Sequence, residues 1–150
     1  MTTRASIDDF LAQETLAVAG VSRDPDKFGS MAYGELESKG YRLFAVNPNT
    51  DRINGTRCYP NLQDLPEPVG GVLIVVPPDQ TEQVVRDAVA AGIRRVWMQR
   101  GAESEAAIRF CEDHGVSTIH GECILMFAEP AALGHKLHRW VWGLLGKLPE

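Results

Sequence analysis

The chain is predicted to fold as an α/β domain with a doubly wound parallel sheet and helices on both faces. Three observations predict it: short β-branched or apolar runs bounded by glycine or proline, helical periodicity between those runs, and regular alternation of the two. With 150 residues, 44% of them hydrophobic, the chain can bury one sizeable core but not two ordinary ones. A single three-layer domain over residues 1–150 is therefore expected.

The elements follow in order. Ser6, three residues before Asp9, reads as the capped start of a short helix that turns Phe10 and Leu11 inward. Residues 15–21 form a small, β-branched run of the kind buried on both faces of a parallel sheet. Residues 29–39 place Ala32, Tyr33 and Leu36 at helical spacing, and Gly40 follows as a helix stop. A strand over 41–46 is closed by Asn47-Pro48, because proline lacks a ladder donor and drives its predecessor toward extended backbone. Residues 52–65 read as an irregular connector, with Asn54-Gly55 a turn, Cys58-Tyr59-Pro60 a short extended piece, and a single-turn helix after it. Gly70-Gly71 then introduce the strongest buried-strand run, residues 72–76, which Pro77-Pro78 stop. Helix 81–91, strand 95–99, helix 104–114 and strand 116–120 complete the alternation, which implies right-handed crossovers.

Composition excludes several function classes. Fifteen Lys and Arg against 20 Asp and Glu give a net charge of −5 without a basic cluster, so no nucleic-acid partner is expected. No run approaches the ~18 apolar residues of a membrane-spanning helix, and 1–10 lack a signal-peptide core; a soluble, cytoplasmic protein is expected. Cys58, Cys111 and Cys123 are odd in number and widely spaced, which suggests neither a disulfide framework nor a zinc site.

Open α/β sheets bind ligands beyond the carboxyl ends of their strands, and that rule selects the candidate residues. After the first strand stand Gly20-Val21-Ser22-Arg23, leading toward a helix start with Lys27; the segment is not the G-x-G-x-x-G fingerprint but keeps its small residues and exposed amides. Ser22 can donate a hydroxyl to a phosphate, and Arg23 and Lys27 can neutralise one. An ordinary solvated loop would look the same. Asn47-Pro48 occupy the place where a dinucleotide site presents a carboxylate to the ribose, so an NAD-type clamp is disfavoured and a phosphorylated ribose would meet no repulsive charge there. Pro77-Pro78 supply rigid walls, or only a strand stop. Gln99, Arg100 and Gly101 end the strand that contains Trp97, a core residue by its surroundings.

Catalytic signatures are lacking. Neither G-x-S-x-G nor H-E-x-x-H occurs, and His114, His120, His135 and His138 cluster with no nucleophile; His120 and Cys123 merely fall near a strand end. No catalytic or metal-ligating residue is assigned. Residues 131–148 carry Leu133, Leu137, Trp140, Val141, Leu144 and Leu145 at helical spacing, a stripe suited to internal packing or to a homo-oligomer contact.

Five ordered segments carry a resemblance: VAGVSRDPDKFG, FAVNPNTDRINGTRCYPNLQDLP, GGVLIVVPP, VWMQRGA and HGVSTIHGECILMF. Over about residues 5–127 the chain resembles the stand-alone CoA-binding domain family, which is similar to the N-terminal domain of the succinyl-CoA synthetase alpha subunit. The resemblance implies a Rossmann-like fold and coenzyme A, or an acyl-CoA, as ligand. It places Gly20 to Arg23 at the nucleotide, Lys27 on a phosphate, Asn47-Pro48 and Pro77-Pro78 as cleft walls, and Gln99 to Gly101 as the fourth contact. No segment matches the synthetase's phosphorylatable histidine, so a non-catalytic or regulatory CoA-binding role is expected. The alternatives are a minimal NAD(P)-binding oxidoreductase and an interaction subunit with a vestigial pocket.

Overall fold

The computed structural model describes residues 2–53 and 55–128. The expected helix over 131–148 lies outside them. Helix α1 spans Arg4–Leu11, and its cap differs from expectation. Thr3, not Ser6, is the N-cap: its Oγ1 accepts from the Ser6 N–H at 3.0 Å, while Ser6 Oγ accepts from the Thr3 N–H at 2.9 Å. Ser6 is thus the return half of a capping box, a position usually held by Glu or Gln.

Strand β1 (Thr15–Ala19), helix α2 (Phe28–Ser38) and strand β2 (Arg42–Val46) follow. The segment read as an irregular connector is instead a hairpin, β3 (Arg52–Ile53) and β4 (Thr56–Tyr59), closed at Gly55 with φ +82°. Strand β4 lies parallel to β2, and the expected single-turn helix follows at Leu62–Asp64. Strand β5 (Gly71–Ile74), helix α3 (Pro78–Ala90), strand β6 (Arg95–Met98), helix α4 (Glu105–Asp113) and strand β7 (Ser117–Ile119) complete the alternation. A second single turn, Ile124–Met126, was not expected.

The sheet order is β3-β4-β2-β1-β5-β6-β7, parallel except for the edge strand β3. Strand β1 is central, and the chain winds outward from it first through β2 and then through β5. Numbered among the six parallel strands this is the 3-2-1-4-5-6 order of a doubly wound nucleotide-binding sheet, with its reversal between β1 and β5. The pleat divides the side chains. Leu16, Val18, Leu73, Trp97 and Ile119 face α1 and α2, whereas Ala17, Ala19, Val72, Ile74, Val96 and Met98 face α3 and α4. A single-residue slip in any of these strands would exchange the two sets.

Helix α1 lies over β6 and β7. Asp9 pairs with Arg95 at 2.7 Å, and Phe10 meets the fully buried Trp97 edge-on at 5.4 Å between ring centroids. The Thr2 hydroxyl donates to the His120 carbonyl and accepts from its N–H. Among the described residues no helix is long and apolar enough to cross a membrane.

Candidate functional site

Among the described residues, two clefts open at the carboxyl edge of the sheet, on either side of the β1–β5 reversal. They share Gly20, Ser22, Val75, Val76 and Pro77 as a common ridge. That ridge exists because the chain ends beyond β1 and β5 touch. The Val75 N–H donates to the Ala19 carbonyl at 2.8 Å, and the Gly20 N–H donates to Val46 at 3.1 Å. Gly20 has φ +110°, and a Cβ there would come within 2.9 Å of the Val75 carbonyl carbon and oxygen. Its lack of a side chain therefore serves the contact between neighbouring strand ends, not only the approach of a ligand. Gly29, unassigned from sequence, completes the same contact from the helix side. A Cβ there would strike the Gly20 carbonyl oxygen, so α2 can start against the turn only with glycine at that position. A glycine nine residues after Gly20, at the head of a helix, was the signal available for it.

The first cleft, of ≈580 Å³, runs from the start of α2 to the loop after β6. Ser22, Lys27, Phe28, Gly29, Gln99 and Arg100 line it, with Gly101 and Ala102 at its far end. Lys27 is the N-cap residue of α2 but makes no side-chain cap, and among the described residues nothing accepts from the N–H groups of Phe28 and Gly29. These amides, the positive end of the helix and the Lys27 and Arg100 side chains give the cleft an electropositive wall. Ser22 Oγ accepts from the Asp24 N–H at 3.1 Å, which leaves its hydroxyl hydrogen for a ligand. Among the described residues that line it there is no Asp, Glu, Cys or His.

Gln99 is buried, and half of its amide is already committed: Oε1 accepts from the Ile124 N–H at 3.0 Å and so anchors the turn after β7. Among the described residues nothing accepts from its Nε2. Arg100 is exposed and reaches the Gly121 carbonyl at 3.4 Å, while Gly101, at φ +96°, donates its N–H to Glu103 Oε1.

The second cleft, of ≈500 Å³, lies between the loops after β2 and β4 and the exposed side of α3. Val21, Asn47, Pro48, Asn49, Pro60 and Asn61 form one wall; Asp79, Gln80, Gln83, Val84 and Asp87 form the other. Asn47 is a brace as well as a wall, since its Nδ2 donates to the Val21 carbonyl at 2.8 Å and its Oδ1 accepts from the Asn49 N–H at 2.8 Å. The expectation that no negative charge would be met beside Asn47-Pro48 holds for the end of β2 alone. Helix α3 begins at Pro78, earlier than expected because proline suits a first helical turn, and so brings Asp79 and Asp87 to the same cleft.

The structure thus brings together Gly20, Ser22, Lys27, Pro77, Gln99, Arg100 and Gly101 in one cleft, and Val21, Asn47 and Pro48 with the shared ridge in the other. Arg23 is exposed and lines neither cleft, nor does Pro78, which is spent on starting α3. Cys123 is half-buried ahead of the last turn and also lines neither. Cys58 and Cys111 are buried in the core, and burial pushes both thiols above their usual range. Among the described residues no group of three His, Cys, Asp or Glu is placed to hold a metal.

Comparison with known proteins bears on the family and the fold. The CoA binding domain family matches residues 14–129, which include every residue of both clefts. The ADP-forming acetate–CoA ligase II of Archaeoglobus fulgidus is 28% identical over 126 residues, covering 76% of this chain and 19% of the ligase. The chain thus spans about a fifth of that enzyme's length. The uncharacterised protein YneT of Bacillus subtilis is 25% identical over 123 residues and is covered to 91% of its own length, against 81% of this chain. A conserved hypothetical protein from Pyrococcus furiosus, of solved structure, superposes with a TM-score of 0.72 at 42% identity, covering 75% of this chain and 97% of that one.

Proposed function

We propose, from the premise that this chain belongs to the CoA binding domain family, that it binds coenzyme A or an acyl-CoA across the two clefts at the carboxyl edge of its sheet. The observation that carries the reading is the electropositive cleft beside the β1–β5 reversal. There the amides of Phe28 and Gly29, the Ser22 hydroxyl, Lys27 and Arg100 converge, and the Glu103 carboxylate stands at the far end, on the Gly101 N–H. A pyrophosphate is the part of the ligand that such a wall suits, because charge-assisted hydrogen bonds to phosphate combine with the helix dipole. Glycines at positions 20, 29 and 101 keep backbone within reach of it.

The role we read is binding, in a regulatory or carrier capacity, rather than turnover. Lysine and arginine hold anions, and among the described residues that line the first cleft there is no carboxylate, cysteine or histidine to move a proton or form a covalent intermediate. The free thiols of Cys58, Cys111 and Cys123 fit a reducing cytoplasm.

Thermal shift against CoA, acetyl-CoA, NAD, NADP and ATP is the test. A ligand at 100 times its dissociation constant stabilises the fold by ~2.7 kcal/mol, so CoA or acetyl-CoA should give the largest upward shift. Equal shifts for NAD or NADP would favour a dinucleotide site, and no shift with any of the five would refute a nucleotide-binding role. Incubation with acetyl-CoA should release no free thiol above the protein-free blank; measurable release would replace the binding reading by an enzymatic one.

A further inference from the structure

The two edges of the sheet are closed in the same way. On β7 the Thr2 hydroxyl takes both the N–H and the carbonyl of His120; on β3 the Thr50 hydroxyl donates to the Arg52 carbonyl at 2.9 Å and accepts from its N–H at 3.4 Å. Charge is therefore not what closes the β3 edge to a further strand. The hairpin nevertheless carries two charges of one sign. Arg52 and Arg57 are partners across it, and in the adjacent pair the Cys58 N–H donates to the Asp51 carbonyl. Arg52 and Arg57 thus form a non-hydrogen-bonded pair, in which side chains stand closest and like charges repel. Both are exposed, and among the described residues neither is ion-paired.

The pleat puts Arg42, Phe44 and Tyr59 on the same side of the sheet as this pair, the side that α3 and α4 cover farther along. Phe44 and Tyr59 are half-buried, meet edge-on at 5.9 Å and join neither core cluster. Each ring backs a guanidinium, Arg42 over Phe44 at 5.6 Å and Arg57 over Tyr59 at 4.8 Å from the ring centroid. A guanidinium supported on a ring keeps its planar N–H fork for a carboxylate. Among the described residues Arg42 and Arg86 complete that arrangement. Arg42 holds Glu67 through hydrogen bonds of 2.7 and 3.1 Å, and Arg86, 4.5 Å over Phe110, holds Glu82 through bonds of 3.0 and 2.7 Å. Arg57 has the same support, a second arginine beside it, and no ion pair among the described residues. We propose that this open face of β2, β4 and β3 docks an acidic segment of a partner protein, whose carboxylates are received by Arg52 and Arg57. Other occupants match it less well. Nucleic-acid bases need free ring faces, and guanidinium groups already lie on these. A second copy meeting this face about a two-fold axis sets arginine against arginine. The chain's own residues 131–148 carry Lys136, Arg139 and Lys147 and no carboxylate.

Fluorescence anisotropy of the full chain with a labelled peptide that carries glutamate at alternate positions, and with its glutamine counterpart, tests the proposal. Alternate residues of an extended segment share one side, which suits two adjacent arginines. The glutamate peptide should bind about tenfold more tightly than the glutamine peptide and should weaken as salt rises. Arg52→Ala with Arg57→Ala should lower its affinity about tenfold, while the melting temperature holds or rises because a repulsive pair is gone. Arg4→Ala is the control, since Arg4 lies 5.5 Å over Phe127 on another part of the surface; it should leave peptide affinity unchanged. Equal binding of the two peptides, or an affinity unmoved in the double variant, would overturn the proposal. So would tighter binding of a single-stranded oligonucleotide, or self-association in sedimentation, that the double variant abolishes. None of Arg42, Phe44, Arg52, Arg57 and Tyr59 lines either cleft, so coenzyme A affinity should be the same in the double variant as in the unaltered chain. A parallel loss of coenzyme A would trace the effect to the clefts and overturn a separate docking face.

Discussion

Substituting Gly29 by alanine separates the role of the α2 start from ordinary helix propensity. In an unconstrained helix interior, glycine to alanine is stabilising by about 0.5–1 kcal/mol, because glycine loses more backbone freedom on folding. At position 29 the new methyl would strike the Gly20 carbonyl oxygen and lie 3.0 Å from Val75 Cγ2 and 3.1 Å from the Gly20 carbonyl carbon. Two of the three obstacles are backbone, so relief requires α2 to move away from the β1 turn. Overpacking of this kind costs about 1–3 kcal/mol, which outweighs the propensity gain and leaves a net loss of about 1–2 kcal/mol. For a chain of this length that corresponds to about 3–6 °C in melting temperature. Gly34 provides the internal control: it is on the same helix, and nothing lies within 4 Å of its Cβ position. Gly34→Ala should therefore stabilise while Gly29→Ala destabilises, as read by urea denaturation and scanning calorimetry. The helix displacement should also weaken CoA, because it carries the Phe28 and Gly29 amides with it. Equal stabilisation by the two substitutions would refute the close-packing argument.

Four further outcomes are expected. Ser22→Ala with Lys27→Ala removes a hydroxyl donor and a cation from the first cleft; isothermal titration should show CoA weakened about tenfold or more, with folding stability changed by no more than ~0.5 kcal/mol. Gln99→Leu leaves the buried Ile124 N–H without its acceptor, so unfolding in urea should show a loss of about 1–3 kcal/mol and alkylation of the adjacent Cys123 should accelerate. Cys58 and Cys111, their thiols raised by burial, bind protons more tightly when folded than when unfolded; stability should be fully present below the unfolded thiol value of ~8.5 and fall as pH rises toward the folded values. Replacing both by alanine should flatten that alkaline slope in denaturation curves. Finally, deletion of 131–150 removes the Leu and Trp stripe proposed to join copies of the chain, and light scattering should show a smaller oligomer or aggregation; an unchanged particle size would exclude that role.

The strands that border the two candidate clefts were legible because each is a dense apolar run closed by or near glycine or proline, and burial on both faces demands such runs. The carboxyl-end rule then led to both clefts without any fingerprint. The β3–β4 hairpin was not legible as strands, since an edge ladder tolerates Arg52, Arg57 and Thr56 and needs no continuous apolar sequence. Pro78 was read as a stop to the preceding strand, although the same residue type favours the first helical turn; the sequence does not say which of two adjacent prolines does which. That ambiguity also hid the charge of the second cleft. Asp79 and Asp87 join Asn47 and Pro48 only through the packing of α3 against the loops after β2 and β4. Likewise Asn47 was legible as a polar strand end, but its bond to Val21 depends on which strands are neighbours in space.

The position of α1 has a consequence for how the chain comes to its fold during synthesis. Asp9 finds its ionic partner 86 residues later, and Thr2 its hydrogen-bonding partner 118 residues later. On a ribosome adding ~5–20 residues per second, α1 therefore waits roughly 5–25 s for the strands that it covers. During that interval Ile7, Phe10 and Leu11, all buried in the finished domain, have no complete sheet to rest on. Late closure also makes the seam between α1, β6 and β7 the region where an extension attached ahead of Thr2 would most readily slow maturation, even with both clefts untouched.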